Sequence, residues 1–213
     1  MQKIIILGAS GGCLDVLDLI EAINKNDKKY DILGFLDDKL KTIKGIKNYK
    51  VLGKFSEAKK FDSNIFFTTA IGNSTNFTKI DKILKGLKIK KNRFPKLIHP
   101  KAQVSKYSRI GQGTIIYQNC TIGLNVRMGD FVNILPNTVI NHDCEIGDYC
   151  KLNTMCNLAG SVKIKKSCYI GSGTNIKENV KIGKNNLIGM SSVVLESFEK
   201  TNQLIYGSPA KKH

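Results

Sequence analysis

Sixteen aliphatic side chains stand six residues apart without a gap: Val104, Ile110, Ile116, Ile122, Met128, Ile134, Ile140, Ile146, Leu152, Leu158, Ile164, Ile170, Ile176, Ile182, Ile188 and Val194. This period is the sequence mark of a parallel β-helix. A second lane, two residues before each aliphatic, holds Ala102, Ser108, Thr114, Cys120, Val126, Val132, Thr138, Cys144, Cys150, Cys156, Val162, Cys168, Thr174, Val180, Asn186 and Ser192, of which only Asn186 is neither small nor β-branched. Three hexads per coil predict a triangular prism with the aliphatics stacked inward and coils about 4.8 Å apart. The 90 residues from 104 to 194 then make five coils. Gly follows the aliphatic at Gly111, Gly123, Gly129, Gly147, Gly171, Gly183 and Gly189, which suits a tight corner where a Cβ would crowd the turn.

The first hundred residues have another rhythm. Lys3 to Leu7 reads as a buried strand, Gly8-Ala9-Ser10-Gly11-Gly12 as a turn, and Leu14, Leu17, Ile20 and Ile23 as a helix face. Ile32 to Leu36 is a second strand ending at Asp37-Asp38, Ile65 to Ile71 a third ending at Gly72-Asn73, and Ile80, Ile83, Leu84 and Leu87 a further helix face. Such alternation implies a small parallel sheet of the Rossmann kind. Phe94-Pro95 stops any helix before Leu97-Ile98-His99-Pro100 opens the coils. The fold class is therefore an α/β Rossmann-like N-terminal domain over residues 1–95, an all-β parallel β-helix over 96–195 and a tail over 196–213. No insertion interrupts the hexads, so any pocket wall must come from another subunit or from the N-terminal domain.

The longest apolar run is far too short to cross a bilayer, and no cleavage site of the usual kind follows it, so a cytoplasmic protein without membrane insertion is expected. Five of the six cysteines fall in the small lane and are expected to be reduced core thiols rather than disulfides or a metal cluster. The formal charge is +17, mostly scattered Lys, which reads as a solvated surface that also draws in anionic substrates. Nucleic acid is a poor partner, because no Arg cluster or aromatic platform accompanies the charge.

Close glycines after a strand let backbone N–H groups approach an anion at a helix N-terminus. Ser10 and Cys13 stand where the dinucleotide fingerprint has glycines, which argues against a nicotinamide enzyme. The turn is either structural or a phosphate or sugar-nucleotide contact, and Asp37 and Asp38 are either exposed turn acids or ligand-facing groups. His142 is the one histidine within the coils, with Asp143 directly after it. Neutral imidazole is the best general base near pH 7. Adjacent strand residues point to opposite faces, so a His142–Asp143 hydrogen bond requires a corner. A zinc site of the γ-carbonic anhydrase kind needs three histidines, and His142 has no such companions, so no metal is expected.

Together with Gly34-Phe35-Leu36-Asp37-Asp38, Ala70-Ile71-Gly72-Asn73, Asn141-His142-Asp143-Cys144, Leu158-Ala159-Gly160-Ser161-Val162 and Gly207-Ser208-Pro209-Ala210-Lys211, these features make the whole chain resemble the bacterial sugar O- and N-acyltransferases of the sialic acid O-acetyltransferase and bacillosamine-pathway N-acetyltransferase type. The resemblance implies a left-handed β-helix, against the usual right-handed preference of parallel crossovers. It also implies a homotrimer, acetyl-CoA as cosubstrate between neighbouring coils, and a nucleotide-sugar on the N-terminal domain. By that likeness His142 is the base and Asp143 its orienting partner. Lys151, Gly160, Ser172, Gly173 and Gly189 would hold acetyl-CoA, and a backbone N–H near Gly160 would meet the oxyanion. Ser10, Gly11, Gly12, Asp37, Asp38, Gly72 and Asn73 would hold the nucleotide-sugar. The bacillosamine-pathway enzyme has a second His nine residues after the base, where this chain has Lys151. The activity so implied is N-acetylation of a nucleotide-linked amino sugar for surface glycans. The alternatives are O-acetylation of a sialic-acid-like sugar and, in another class, a noncatalytic trimeric scaffold with a nucleotide-binding domain.

Overall fold

The computed structural model describes residues 1–39 and 49–213. The chain opens with β1 (Gln2–Leu7), α1 (Gly12–Asp27), β2 (Tyr30–Leu36), β3 (Val51–Gly53), β4 (Phe66–Thr69) and α2 (Ile80–Gly86). The four strands form one parallel sheet in the order β3-β2-β1-β4. Val51–Gly53 is a strand that sequence reasoning passed over, since three residues show no alternation. The inward face of α1 also differs from expectation: Leu14 is exposed, while Cys13, Val16, Leu17, Leu19 and Ile20 are buried. The helix sits between the sheet and the coils, so it buries a wider stripe than one apolar row defines.

From Leu97 onward the chain winds as a left-handed parallel β-helix with three sheet faces. The first face stacks Arg109–Ile110, Arg127–Met128, Glu145–Ile146, Lys163–Ile164 and Lys181–Ile182. The second runs from Leu97–Ile98 through Ile115–Ile116, Asn133–Ile134, Lys151–Leu152, Tyr169–Ile170 and Leu187–Ile188 into a terminal hairpin, Leu204–Gly207 with Ala210–Lys212. The third holds Gln103–Val104, Thr121–Ile122, Val139–Ile140, Asn157–Leu158, Asn175–Ile176 and Val193–Val194. Partners in register lie 18 positions apart, as Arg127 with Glu145, so each coil is three hexads. The aliphatic of each strand points inward into one continuous core. Replacing Leu152, which has no exposed surface, with Ala is expected to cost about 2–5 kcal/mol, because stacked coils on both sides prevent collapse of the cavity. A melting or denaturant titration checks this.

The second lane does more than fill space. Its hydroxyls and thiols donate to the backbone carbonyl after the aliphatic of the next coil: Thr114 to Gly129 at 3.0 Å, Thr138 to Asn153 at 2.9 Å, Cys144 to Ala159 at 3.2 Å and Cys168 to Gly183 at 2.9 Å. All six cysteines are free and buried. Asn186 breaks the lane where the hexads give out, and its amide binds the carbonyls of Phe198 and Lys200 while its oxygen accepts the Gln203 N–H. It thereby ties the returning tail onto the last coil, and the tail's hairpin covers an otherwise open sheet edge.

The corner glycines are there for space and not for conformational freedom. None of the seven that follow an aliphatic has positive φ; the left-handed residue lies two positions later, as Asn125 (φ 60°) after Gly123, Tyr149 (φ 59°) after Gly147 and Asn185 (φ 57°) after Gly183. Those glycines exist because coils approach closely: a Cβ on Gly147 would lie 2.5 Å from the Lys166 nitrogen.

The N-terminal unit covers the second face. Ile4, Ile6, Val16 and Phe35 pack with Leu97, Ile115 and Tyr117 on one side of its sheet. On the other side Phe94 meets Phe131 edge-on at 5.0 Å, and Phe131 stacks on Tyr149 at 5.4 Å. Lys91 pairs with Asp130, and Lys166 with Asp81, across the same junction.

Candidate active site

His142 stands on the corner where the third face turns into the first. Asp143 takes the left-handed conformation that turns the chain (φ 61°), and this swings its carboxylate back beside its neighbour. Asp143 Oδ2 lies 2.8 Å from His142 Nδ1. Both flanking coils pin the corner: the Asp143 N–H donates to Leu124 O at 3.0 Å, and the Ser161 N–H donates to His142 O at 2.9 Å. Beneath it the Cys144 thiol is buried, and burial pushes its pKa up, so it is not a nucleophile.

The pair faces solvent, with the His142 side chain 64% and the Asp143 side chain 45% exposed. A hydrogen bond from Asn125, then one from His142, hold the Asp143 carboxyl below the usual carboxylate range. An ionised carboxylate accepts only, so it selects the imidazole tautomer with the proton on Nδ1 and a lone pair on Nε2. Gly160 lies one coil above His142. A Cβ there would stand 2.7 Å from Cε1 and 2.8 Å from Nε2, so only glycine leaves room for the ring.

Asn125 went unnoticed in the sequence. It donates from Nδ2 to Asp143 Oδ1 at 2.6 Å. Its signal was arithmetic: a residue 18 positions before another occupies the same place on the previous coil.

The other sequence-derived residues gather elsewhere. Ser10, Gly11 and Gly12 form an exposed turn at the start of α1, and Gly11 has nothing within 4 Å of a built Cβ, so a ligand can approach its backbone. Asp37 serves that turn, with Oδ2 accepting the Ala9 N–H at 2.9 Å and Oδ1 the Lys39 N–H at 2.8 Å. Asp38 accepts the Phe55 N–H at 2.9 Å. Asn73 spends its side-chain oxygen on Thr75, accepting from N at 2.9 Å and from Oγ1 at 2.7 Å. Lys151 lies on the second face, where Nζ donates to the Gly72 carbonyl at 2.8 Å. Burial lowers its pKa, with Asp15 opposing. It therefore joins the coils to the N-terminal sheet within its own chain. Ser172 and Gly173 (φ 71°) occupy the corner between the second and third faces, and Gly189 lies under Tyr206. Thus one chain unites His142, Asp143 and Gly160, and separately Gly72 and Lys151, but leaves Ser172, Gly173 and Gly189 on another corner.

Among the described residues no three His, Cys, Asp or Glu side chains gather where they could hold a metal ion. No described helix is long and apolar enough to cross a membrane.

Known proteins share this fold. Residues 125–160 and 161–196 match the bacterial transferase hexapeptide (six repeats). The UDP-N-acetylbacillosamine N-acetyltransferase of Bacillus subtilis is 31% identical over 118 residues, 54% of this chain and 51% of that one. The chain thus spans about half the length of this curated relative. The acetyltransferase domain of PglB from Neisseria gonorrhoeae, in complex with acetyl coenzyme A, superposes with a TM-score of 0.85 at 24% identity, covering 100% of this chain and 99% of that one. PerB from Caulobacter crescentus, in complex with CoA and GDP-perosamine, gives 0.83 at 23% identity, covering 99% and 97%. Those two likenesses establish the fold. Residues 3–80 match the PglD N-terminal domain, so in this chain a PglD-type N-terminal domain precedes bacterial transferase hexapeptide repeats.

Proposed function

We propose that the protein is an acetyl-CoA-dependent N-acetyltransferase of a nucleotide-linked amino sugar, serving surface-glycan synthesis in the cytoplasm, with His142 as general base. The observation that carries this reading is the 2.8 Å contact that holds a mostly exposed His142 ring by Nδ1, with Nε2 beside Gly160. The names of the B. subtilis relative and of the CoA-bound structures support the substrate class.

In direct transfer, Nε2 accepts the proton that leaves the sugar amine as its nitrogen attacks the thioester carbonyl. Asp143 stabilises the imidazolium so formed. The Gly160 N–H, beside the ring, is the donor for the oxyanion. When the C–S bond breaks, the imidazolium returns its proton to the departing sulfur. No enzyme nucleophile is needed, because alignment of the two substrates supplies much of the acceleration.

Alignment requires a second copy. His142 occupies one corner of the prism and Ser172 with Gly173 another, so a single chain cannot place the base beside that corner. The outward ladder of the third face, Gln103, Thr121, Val139, Asn157, Asn175 and Val193, carries no charge, whereas that of the first is Arg109, Arg127, Glu145, Lys163 and Lys181. A closed three-fold ring with the uncharged faces inward sets each His142 corner beside the next copy's Ser172 corner.

Release of CoA thiol, followed with a panel of UDP-, dTDP- and GDP-linked amino sugars and free sialic acids, tests the reaction. Silence on every amino sugar would remove it, and activity on sialic acid alone would make the protein an O-acetyltransferase. For the shared site, inactive His142→Ala is mixed with inactive Gly173→Trp and the subunits are exchanged. Recovery of a substantial fraction of activity is expected, and no recovery after demonstrated exchange would place the whole site in one chain.

A further inference from the structure

We propose that Asn125 is a positioning residue for the base, holding the Asp143 carboxylate turned toward His142; this rests on the function proposed above. Residues with positive φ at the coil corners stack in columns, and two pairs join successive coils by amide–amide hydrogen bonds, Asn119 to Asn137 at 3.2 Å and Asn185 to Asn202 at 3.1 Å. Those contacts link coil to coil and nothing more. The contact from Asn125 differs in kind, being shorter at 2.6 Å and made to a carboxylate. A hydrogen bond to a charged acceptor is the stronger sort.

The geometry divides the two oxygens of Asp143. Oδ1 accepts from Asn125 and Oδ2 faces His142 Nδ1, so fixing the first fixes the plane that serves the second. Such fixing matters because Asp143 is exposed and its side chain would otherwise sample several rotamers. Arg127 is the other charge acting on this carboxylate. The residue type is also constrained: an acid at position 125 would set two carboxylates at hydrogen-bond distance.

The test uses the full-length protein and two substitutions with opposite signatures. Asn125→Ala is expected to lower kcat about tenfold, with KM for acetyl-CoA and sugar little changed. It should move the acidic limb of the kcat/KM profile to lower pH, since a loosened carboxylate stabilises imidazolium less. Asn125→Asp should also lower kcat but move that limb to higher pH, since a second negative charge favours imidazolium. Asn119→Ala is the control that loses an amide ladder contact alone, and its kcat should match the parent. A parental rate and pH profile in Asn125→Ala would overturn the proposal, and so would a loss of thermal stability like that of Asn119→Ala without a kinetic change. If the parent transfers acetyl to no sugar, nitrogen-detected NMR titration of the His142 ring decides separately. Loss of the Nδ1–H tautomer in Asn125→Ala supports the proposal, and an unchanged ring overturns it.

Discussion

Substitution of His142 by Ala is expected to reduce acetyl transfer by about 10²-fold or more, the usual contribution of a general base. KM should change little, because the ring is asked to act on the proton of the reacting amine rather than to hold either substrate. Stability should hardly move: the side chain is mostly solvent-exposed, and the corner is pinned through backbone groups that Ala retains. Asp143→Asn sharpens the test. Its amide can donate to Nδ1, which transfers the ring proton to Nε2 and removes the lone pair that would receive the amine proton, so a kcat loss with an intact fold is expected. Steady-state CoA release together with circular dichroism measures both. Full activity in His142→Ala would end the assignment of this corner as the reaction centre.

The second large effect is expected from a single methyl group. Gly160→Ala builds a Cβ 2.7 Å from His142 Cε1 and 2.8 Å from Nε2, closer than nonbonded atoms tolerate. The Gly160 carbonyl accepts the Asn179 N–H of the following coil at 3.1 Å, which holds this corner in place, so the exposed ring is the part that gives. Rotation of the imidazole breaks its alignment with Asp143 and displaces Nε2 by about 1 Å, for which a loss on the order of 10² in kcat is typical. The melting temperature should fall only slightly, since the ring yields toward solvent. A variant with parental kcat would show that the ring does its work in another orientation, and the oxyanion role of the neighbouring N–H would lose its main geometric support.

These two residues illustrate how far pattern reading reaches. His142 was visible as a lone histidine within a flat repeat, and Gly160 as part of a recognisable segment. That Gly160 makes space for His142 follows from the 18-residue register, which sets position 160 directly above position 142. The same offset exposes Asn125, so that part of the site was readable once three hexads per coil were assumed. Lys151 was not. It stands where a family member has a second histidine and reads as an acetyl-CoA contact; within this chain its partner is the Gly72 carbonyl, 79 positions away in sequence. Asp37 and Asn73 read as ligand contacts; in this structure their side-chain oxygens accept from the Ala9, Lys39 and Thr75 N–H groups, and that of Asn73 also from the Thr75 hydroxyl.

Local periodicity alone therefore determined the coils, their inward lane and the corner on which His142 and Asp143 meet, because each coil repeats the same short-range steric solution and needs only its neighbours 18 residues away. The tertiary structure decided what no period encodes: which stripe of α1 turns inward, how the N-terminal sheet covers the second face, and that Lys151 binds Gly72. Those contacts join segments with no common repeat, and their geometry is set by the packing of two differently shaped surfaces.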